Sequence, residues 1–243
     1  MQKETRADRT TTGRQRLLWQ LLADAVAAVT PADRAASVLD CGGGSGSFAV
    51  PLAQAGSLVT VVDVSVDALS TLRRRADEAG VADRVVPLQS DVELLAGTVP
   101  AGSFDLVLAH GILEAVDQVA PAFDAIAATV RPGGLLSVLV SNPVAGVLAR
   151  ALAGDVAAAL RELRALDADF ARPGPAAVQT LCRTAGLLVE QVHGIGVFAE
   201  FVAGSALDAP GALEALADLE TESATRTPFS DIASRVHILA RRP

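Results

Sequence analysis

Short apolar runs closed by glycine, proline or an acid alternate, over the first 140 positions, with stretches whose apolar residues recur every three to four places. The runs read as strands and the longer-period stretches as helices that cover them. The pattern predicts a helix over 14–29 ended by Pro31, a strand over 37–40 and a helix over 48–54. A strand over 58–62 follows, ending at Asp63, then a helix over 67–79 that carries Arg73-Arg74-Arg75 and is closed by Gly80. Next come a strand over 85–88, the acidic loop Gln89-Ser90-Asp91-Val92-Glu93, a strand over 106–109 and a helix over 121–130. Arg131-Pro132-Gly133-Gly134 reads as a turn into a fifth strand over 135–140.

Beyond Asn142 the alternation lapses into two helical stretches, 144–152 and 156–166, before the break Arg172-Pro173-Gly174-Pro175. Residues 143–175 are therefore expected to be a helical insertion over the ligand face. A helix over 176–185, a strand over 187–192, a helix over 211–223 and a strand over 235–240 complete the chain. The fold class expected is α/β: seven strands in a mostly parallel sheet with helices on both faces. With no internal repeat and no flexible linker, the expectation is a single domain spanning 1–243, residues 1–30 forming an N-terminal helical segment.

Composition narrows this picture. The chain has 243 residues, 51% of them hydrophobic, enough for one α/β domain with a sizeable core. Its start, Met1 to Arg6, is polar, and Gln20 and Asp24 interrupt the first apolar helix, short of the ~20 apolar residues that span a bilayer. A cytoplasmic protein with no membrane partner is expected. Cys41 and Cys182 stand far apart, and His110, His193 and His237 show no zinc-like spacing, so neither a disulfide framework nor a metal site is expected. The net charge of −8 argues against a broad nucleic-acid footprint, though it leaves room for a local basic patch.

Candidate chemistry starts at Val38-Leu39-Asp40-Cys41-Gly42-Gly43-Gly44-Ser45-Gly46-Ser47. A strand ending in an acid and running into glycines lets a ligand lie against the main chain, because glycine has no Cβ. The helix that follows supplies free N–H groups. Asp63 lies 21 residues after Gly42, at the end of the second strand, where an acid can accept both hydroxyls of an adenosine ribose. NAD and S-adenosylmethionine fit that acid equally. The loop separates them: Gly-x-Gly-x-x-Gly counted from Gly42 ends on Ser47, whereas Asp40-x-Gly42-x-Gly44-x-Gly46 is what stands here.

That loop resembles motif I of the class I S-adenosylmethionine-dependent methyltransferases. Asp63, Asp91, Phe104-Asp105-Leu106-Val107 and Arg131-Pro132-Gly133-Gly134-Leu135 follow in the order of that family's landmarks. The resemblance implies a Rossmann-like sheet with an antiparallel last strand, and S-adenosyl-L-methionine as cofactor. It also implies ribose hydroxyls on Asp63, adenine edged by Ser90, Asp91 and Val92, and the rest of the cofactor against Asp40, Gly42, Gly43 and Gly44. Asp40 and Asp91 have turn capping as the alternative, and Asp105 reads as structural at a strand start.

A more detailed resemblance covers nearly the whole chain. Thr10-Thr11-Thr12-Gly13-Arg14-Gln15-Arg16, His110-Gly111-Ile112-Leu113-Glu114, Ala149-Arg150-Ala151-Leu152, Leu219-Glu220-Thr221-Glu222 and Val236-His237-Ile238-Leu239 together look like the tRNA 5-carboxymethoxyuridine methyltransferase family. On that likeness Arg14, or Arg16 if the match is gapped, holds the cofactor carboxylate and His110 contacts the cofactor. The reaction implied is methyl esterification of a carboxylate on a wobble uridine, so tRNA is the partner. A carboxylate needs alignment and desolvation rather than a general base, and no catalytic residue is assigned. Ala109-His110-Gly111-Ile112 replaces the Asn-Pro-Pro-Phe/Tyr of exocyclic base-amine methylation. Gly196 stands where that family carries an arginine, and there is no tyrosine to stack on a base. A small-molecule acceptor is therefore the alternative, and a cofactor-binding protein without turnover a second. Arg150, Arg161, Arg164 and Arg172 offer either a positive rim or a solvated helix face.

Overall fold

The computed structural model describes residues 6–166, 173–199, 201–202 and 204–243, with side chains from residue 16 onward. Among these, the strands are β1 (Ser37–Cys41), β2 (Leu58–Asp63), β3 (Val85–Gln89), β4 (Phe104–His110), β5 (Val130–Ser141), β6 (Leu188–Ile195) and β7 (Arg235–Arg241). They form one sheet in the order β3-β2-β1-β4-β5-β7-β6. The pairs from β3 across to β5 are parallel. The Gly133 amide in β5 donates to Arg242 O just after β7, and the Asn142 amide just after β5 donates to Ser234 O just before β7, a reversed order that makes β7 antiparallel to β5.

The helices are α1 (Arg6–Val29), α2 (Ala49–Gln54), α3 (Val66–Glu78), α4 (Leu95–Thr98), α5 (Val119–Thr129), α6 (Pro143–Leu152), α7 (Val156–Ala165), α8 (Pro175–Thr184) and α9 (Ala212–Ser223). Strand order reverses direction between β1 and β4, and in such sheets the crevice outside the carboxyl ends at the reversal receives the ligand. The central strands are near-continuous apolar runs because both of their faces are covered. Val38, Leu39, Leu106, Val107, Leu108 and Ala109 are all fully buried.

Two compact units emerge. One comprises residues 24–139, 176–191 and 238–243; the other comprises the described residues of 1–23, 140–175 and 192–237. In the first, the buried carboxylate of Asp105 closes the start of β4. It accepts Arg34 Nη1 at 2.6 Å, Arg34 Nη2 at 3.0 Å and the Ser37 amide at 2.7 Å, together with Arg131 Nε. Burial alone would raise its pKa, but Arg34, the Ser37 N–H and Arg131 outweigh burial and lower it. Asp105 is thus a structural hub. Asp105→Ala is expected to cost about 2 kcal/mol at pH 7, since it removes a fully buried carboxylate that the Ser37 amide and two partly exposed guanidinium groups share as acceptor. With the folded pKa depressed, that stability is present above the ordinary value and lost as pH falls through the folded one. Urea unfolding at pH 7 and in acid checks this: the gap between wild type and variant should close in acid.

In the second unit, Asn142 caps α6 and its amide nitrogen donates to the carbonyls of Asp231 and Ala233. Glu220 of α9, fully buried, accepts the amides of Val197, Phe198 and Ala199 at 2.7 to 2.8 Å. That carboxylate holds the turn after β6. Helices α6 and α7 are linked by Arg150 and Glu162 at 2.6 Å. Arg161 and Arg164 are exposed, and Arg172 lies outside the described residues.

Three elements differ from the sequence pattern by three residues or more at one end. Helix α1 begins at Arg6 rather than near Arg14. Arg131-Pro132-Gly133-Gly134 is not a free turn but the opening of β5, where the Gly133 amide donates to Arg242 O and the Arg242 amide to Gly134 O. Room for this pairing is tight: a Cβ on Gly134 would lie 3.0 Å from Asp105 O. Strand β6 continues to Ile195 because β7 is there to pair with it, His193 and His237 stacking with ring centroids 5.6 Å apart.

Candidate functional site

The apolar run of β1 ends on Asp40 and Cys41, and the chain then turns through the glycines into α2. Each anchor of this loop is visible. The Gly42 amide donates to Val62 O on β2 at 2.7 Å, and the Gly46 amide to Gly43 O at 2.9 Å. Asp63, closing β2, accepts the Gly44 amide on Oδ2 at 2.9 Å and the Ser65 amide on Oδ1 at 2.8 Å. Ser65 in turn caps α3 by accepting the Ala68 amide. A carboxylate has about four lone-pair sites, so Asp63 retains acceptor capacity for hydroxyls.

Asp40 lies beneath the loop, 1% exposed, and its Oδ2 has no hydrogen-bond partner among the described residues. Burial, and secondly the negative charge of Asp63, push its carboxyl up from the usual 3.8 to about 7. Gly43 passes so close that an added Cβ would collide with the Asp40 carboxylate, and would come within 2.9 Å of Val61 Cγ1. A Cβ on Gly42 would lie 2.7 Å from Ile112 Cδ1, in the turn after β4. The glycines are therefore a steric requirement of the way β1, β2 and the β4 turn converge.

The remaining sequence candidates sit around this loop as follows. Ser90 donates its amide to Asp63 O at 3.2 Å, and its hydroxyl meets Thr98 Oγ1 at 2.8 Å. Asp91 Oδ1 caps the next turn by accepting the Glu93 amide at 2.9 Å, and Val92 is buried. His110 ends β4 with Nε2 2.8 Å from Ser137 Oγ on β5, its ring edge-on to Phe48 at 4.7 Å. Asp40, Gly42, Gly43, Gly44, Asp63 and Ser90 thus form one connected cluster, with Asp91, Val92 and His110 on adjoining loops of the same unit. Arg14 and Arg16 belong to the other unit: Arg14 has no described side chain, and that of Arg16 is exposed. Sequence reasoning missed Ser65, Phe48 and Ser137, which no motif marks.

Residues 39–138, from β1 into β5, match the methyltransferase domain family. A ubiquinone biosynthesis O-methyltransferase of Azotobacter vinelandii is 34% identical over 161 residues, 65% of this chain and 67% of that protein. The chain belongs to the S-adenosylmethionine-dependent methyltransferases. This methyltransferase is also similar to the tRNA 5-carboxymethoxyuridine methyltransferase of Escherichia coli strain K12, 29% identical over 95% of this chain and 88% of that one.

Among solved structures, the geranyl diphosphate C-methyltransferase of Streptomyces coelicolor superposes with a TM-score of 0.61 at 17% identity, covering 94% of this chain and 80% of that one. The [4+2]-cyclase SpnF superposes at 0.57 and 18% identity, covering 92% and 81%. These likenesses carry the fold alone, since unrelated chemistries share it.

The cradle of this methyltransferase fits its cofactor. S-adenosylmethionine carries a sulfonium, an ammonium and a carboxylate but no phosphate, and the loop offers close backbone approach, the partly exposed carboxylate of Asp63 and the buried carboxyl of Asp40 beneath. Among the described residues no helix is long and apolar enough to cross a membrane, and no group of three His, Cys, Asp or Glu gathers to hold a metal.

Proposed function

We propose that this methyltransferase esterifies the carboxylate of 5-carboxymethoxyuridine in tRNA. One observation carries the reading. The tRNA enzyme of Escherichia coli aligns with 95% of the chain, through α6 and α7 and on past β6, whereas ubiquinone biosynthesis O-methyltransferases, 33 to 36% identical, align with 48 to 66% of it. Acceptor choice in this fold belongs to the segments outside the shared cofactor half, so likeness there weighs more than higher identity within it.

In this reading Asp63 holds the ribose hydroxyls while its other contacts keep Gly44 and Ser65 in place. Ser90, Asp91 and Val92 edge the adenine. The backbone of Gly42, Gly43 and Gly44, with Asp40 beneath it, takes the amino-acid tail. The bound donor supplies an electrophilic methyl on a cationic sulfur. His110, with Nε2 2.8 Å from Ser137 Oγ and its ring edge-on to Phe48, would contact the donor. An acceptor carboxylate already carries its lone pair at neutral pH, so the chain has no proton to remove; it aligns and desolvates.

A second reading, a small carboxylic acid or metabolite as acceptor, is favoured by Gly196. Its φ of +77° places it in the left-handed region that disfavours any side chain, so the arginine of the tRNA family has no place at this turn. Nucleoside mass spectrometry separates the two. In tRNA from cells lacking the gene, 5-carboxymethoxyuridine methyl ester is expected to disappear and the free acid to accumulate, and purified enzyme should restore the ester. Unchanged ester, with donor still bound by the purified protein, would leave the small-molecule reading standing and reject tRNA.

A further inference from the structure

Helix α3 carries three consecutive arginines with different fates. Arg73 and Arg74 are exposed, and Arg74 pairs with Glu78 one turn on, at 2.7 Å. Arg75 is half-buried and points the other way, its Nη1 donating to the main-chain carbonyl of Ser45 at 2.8 Å. Ser45 lies in the middle of the glycine loop, 30 residues away in sequence.

Arg75 does not act alone. Leu72, fully buried and three residues earlier on the same helix face, meets Gly46 so closely that an added Cβ there would collide with its Cδ1. Leu72 and Arg75 together back the outer half of the loop. The inner half is held by β2, through Val62 O on Gly42 and Asp63 on Gly44. The α3 end of the arrangement is itself tied to Asp63 through Ser65. Loop, second strand and third helix thus form a closed ring of contacts, and Arg75 supplies its one charged hydrogen bond to a loop carbonyl among those the described residues show.

We propose that Arg75 is a positioning residue for the methyl donor: it fixes the Ser45–Gly46 peptide from behind and holds the glycine loop in its donor-binding shape without touching the donor. The inference rests on the loop being the donor cradle. A carbonyl turned away from the ligand by a guanidinium leaves the neighbouring amides and the open side of the loop in a single arrangement, so binding need not order them. Hydrogen bonds to charged groups are among the stronger ones, and the effect should be visible in donor affinity rather than in turnover.

The test compares Arg75→Ala, Arg75→Lys and Arg74→Ala with wild type. Calorimetry with S-adenosylhomocysteine is expected to show about a tenfold rise in Kd for Arg75→Ala, a smaller rise for Arg75→Lys and none for Arg74→Ala. KM for the donor should rise in step while kcat at saturating donor stays within twofold. That split between KM and kcat is the reading a merely structural role would not give, and hydrogen exchange of the free protein localises the effect: amides of residues 43–47 should exchange faster in Arg75→Ala, with the central strands unchanged. Unaltered Kd in Arg75→Ala, or faster exchange spread evenly over the first unit, overturns the proposal. Should wild type itself fail to bind S-adenosylhomocysteine, it is the reading of the loop that fails.

Discussion

Asp63→Ala is expected to raise the Kd for S-adenosylhomocysteine by about 100-fold, roughly 2.7 kcal/mol. Two losses combine. On the proposed reading the carboxylate's charge-assisted contact with the ribose hydroxyls is lost, a bond of a kind that contributes roughly 1.5 to 3 kcal/mol. The amides of Gly44 and Ser65 also lose their acceptor, so the loop and the start of α3 are freed together. Asp63→Asn keeps one amide acceptor and part of the geometry, and its loss should fall between alanine and wild type. Calorimetry on all three proteins decides the matter. Equal affinity across the series would remove Asp63 from the site, and with it the assignment of the β2 end to the ribose.

Asp40→Asn should stabilise the free protein above neutral pH while impairing it as an enzyme. Its carboxyl is pushed up from 3.8 to about 7 by burial and by Asp63, so between those values the folded chain holds a proton that the unfolded chain has released. Stability contributed at this site therefore falls as pH rises from about 4 to about 7 and is lowest beyond it, a cost on the order of 4 kcal/mol at pH 8. An asparagine does not titrate. The variant is expected to gain roughly 2 kcal/mol over wild type at pH 8, the remainder being offset by an amide with too few partners. Near pH 4 the gain should vanish. Urea unfolding of cofactor-free protein at pH 4, 6 and 8 measures the difference, and a difference independent of pH would mean that Asp40 is ionised throughout. The same substitution removes the negative charge under a cationic ligand, so donor affinity should drop by about tenfold or more.

Both substitutions concern residues that the glycine spacing and the count from Gly42 to Asp63 single out, and the arrangement of β1 and β2 explains why that spacing is informative. Registered parallel pairing sets Asp40 beside Val61 and Cys41 beside Val62, so the loop leaving β1 and the acid ending β2 emerge at the same edge. Asp91 shows the opposite limit. Its position in the motif order points to the adenine, yet one of its oxygens is engaged in capping the turn at Val92, and a turn cap and a ligand contact leave the same trace in sequence.

Sequence alone settles the βα alternation, the extent of the central strands to within a residue or two, and the glycine loop between β1 and α2 with an acid at the end of each of the first two strands. These depend on period, burial on both faces and local backbone requirements, all of which act over a few residues. What waits for the tertiary structure is every feature whose partner is remote. The Arg131–Gly134 segment becomes strand because β7 returns from a hundred residues away, and β6 lengthens for the same reason. Asp105 becomes a hub because Arg34 and Arg131 converge on it. Arg75, indistinguishable in sequence from the solvated Arg73 and Arg74, differs only in which side of α3 meets the loop. Helical phase relative to a distant carbonyl is a property of packing, and no local pattern encodes it.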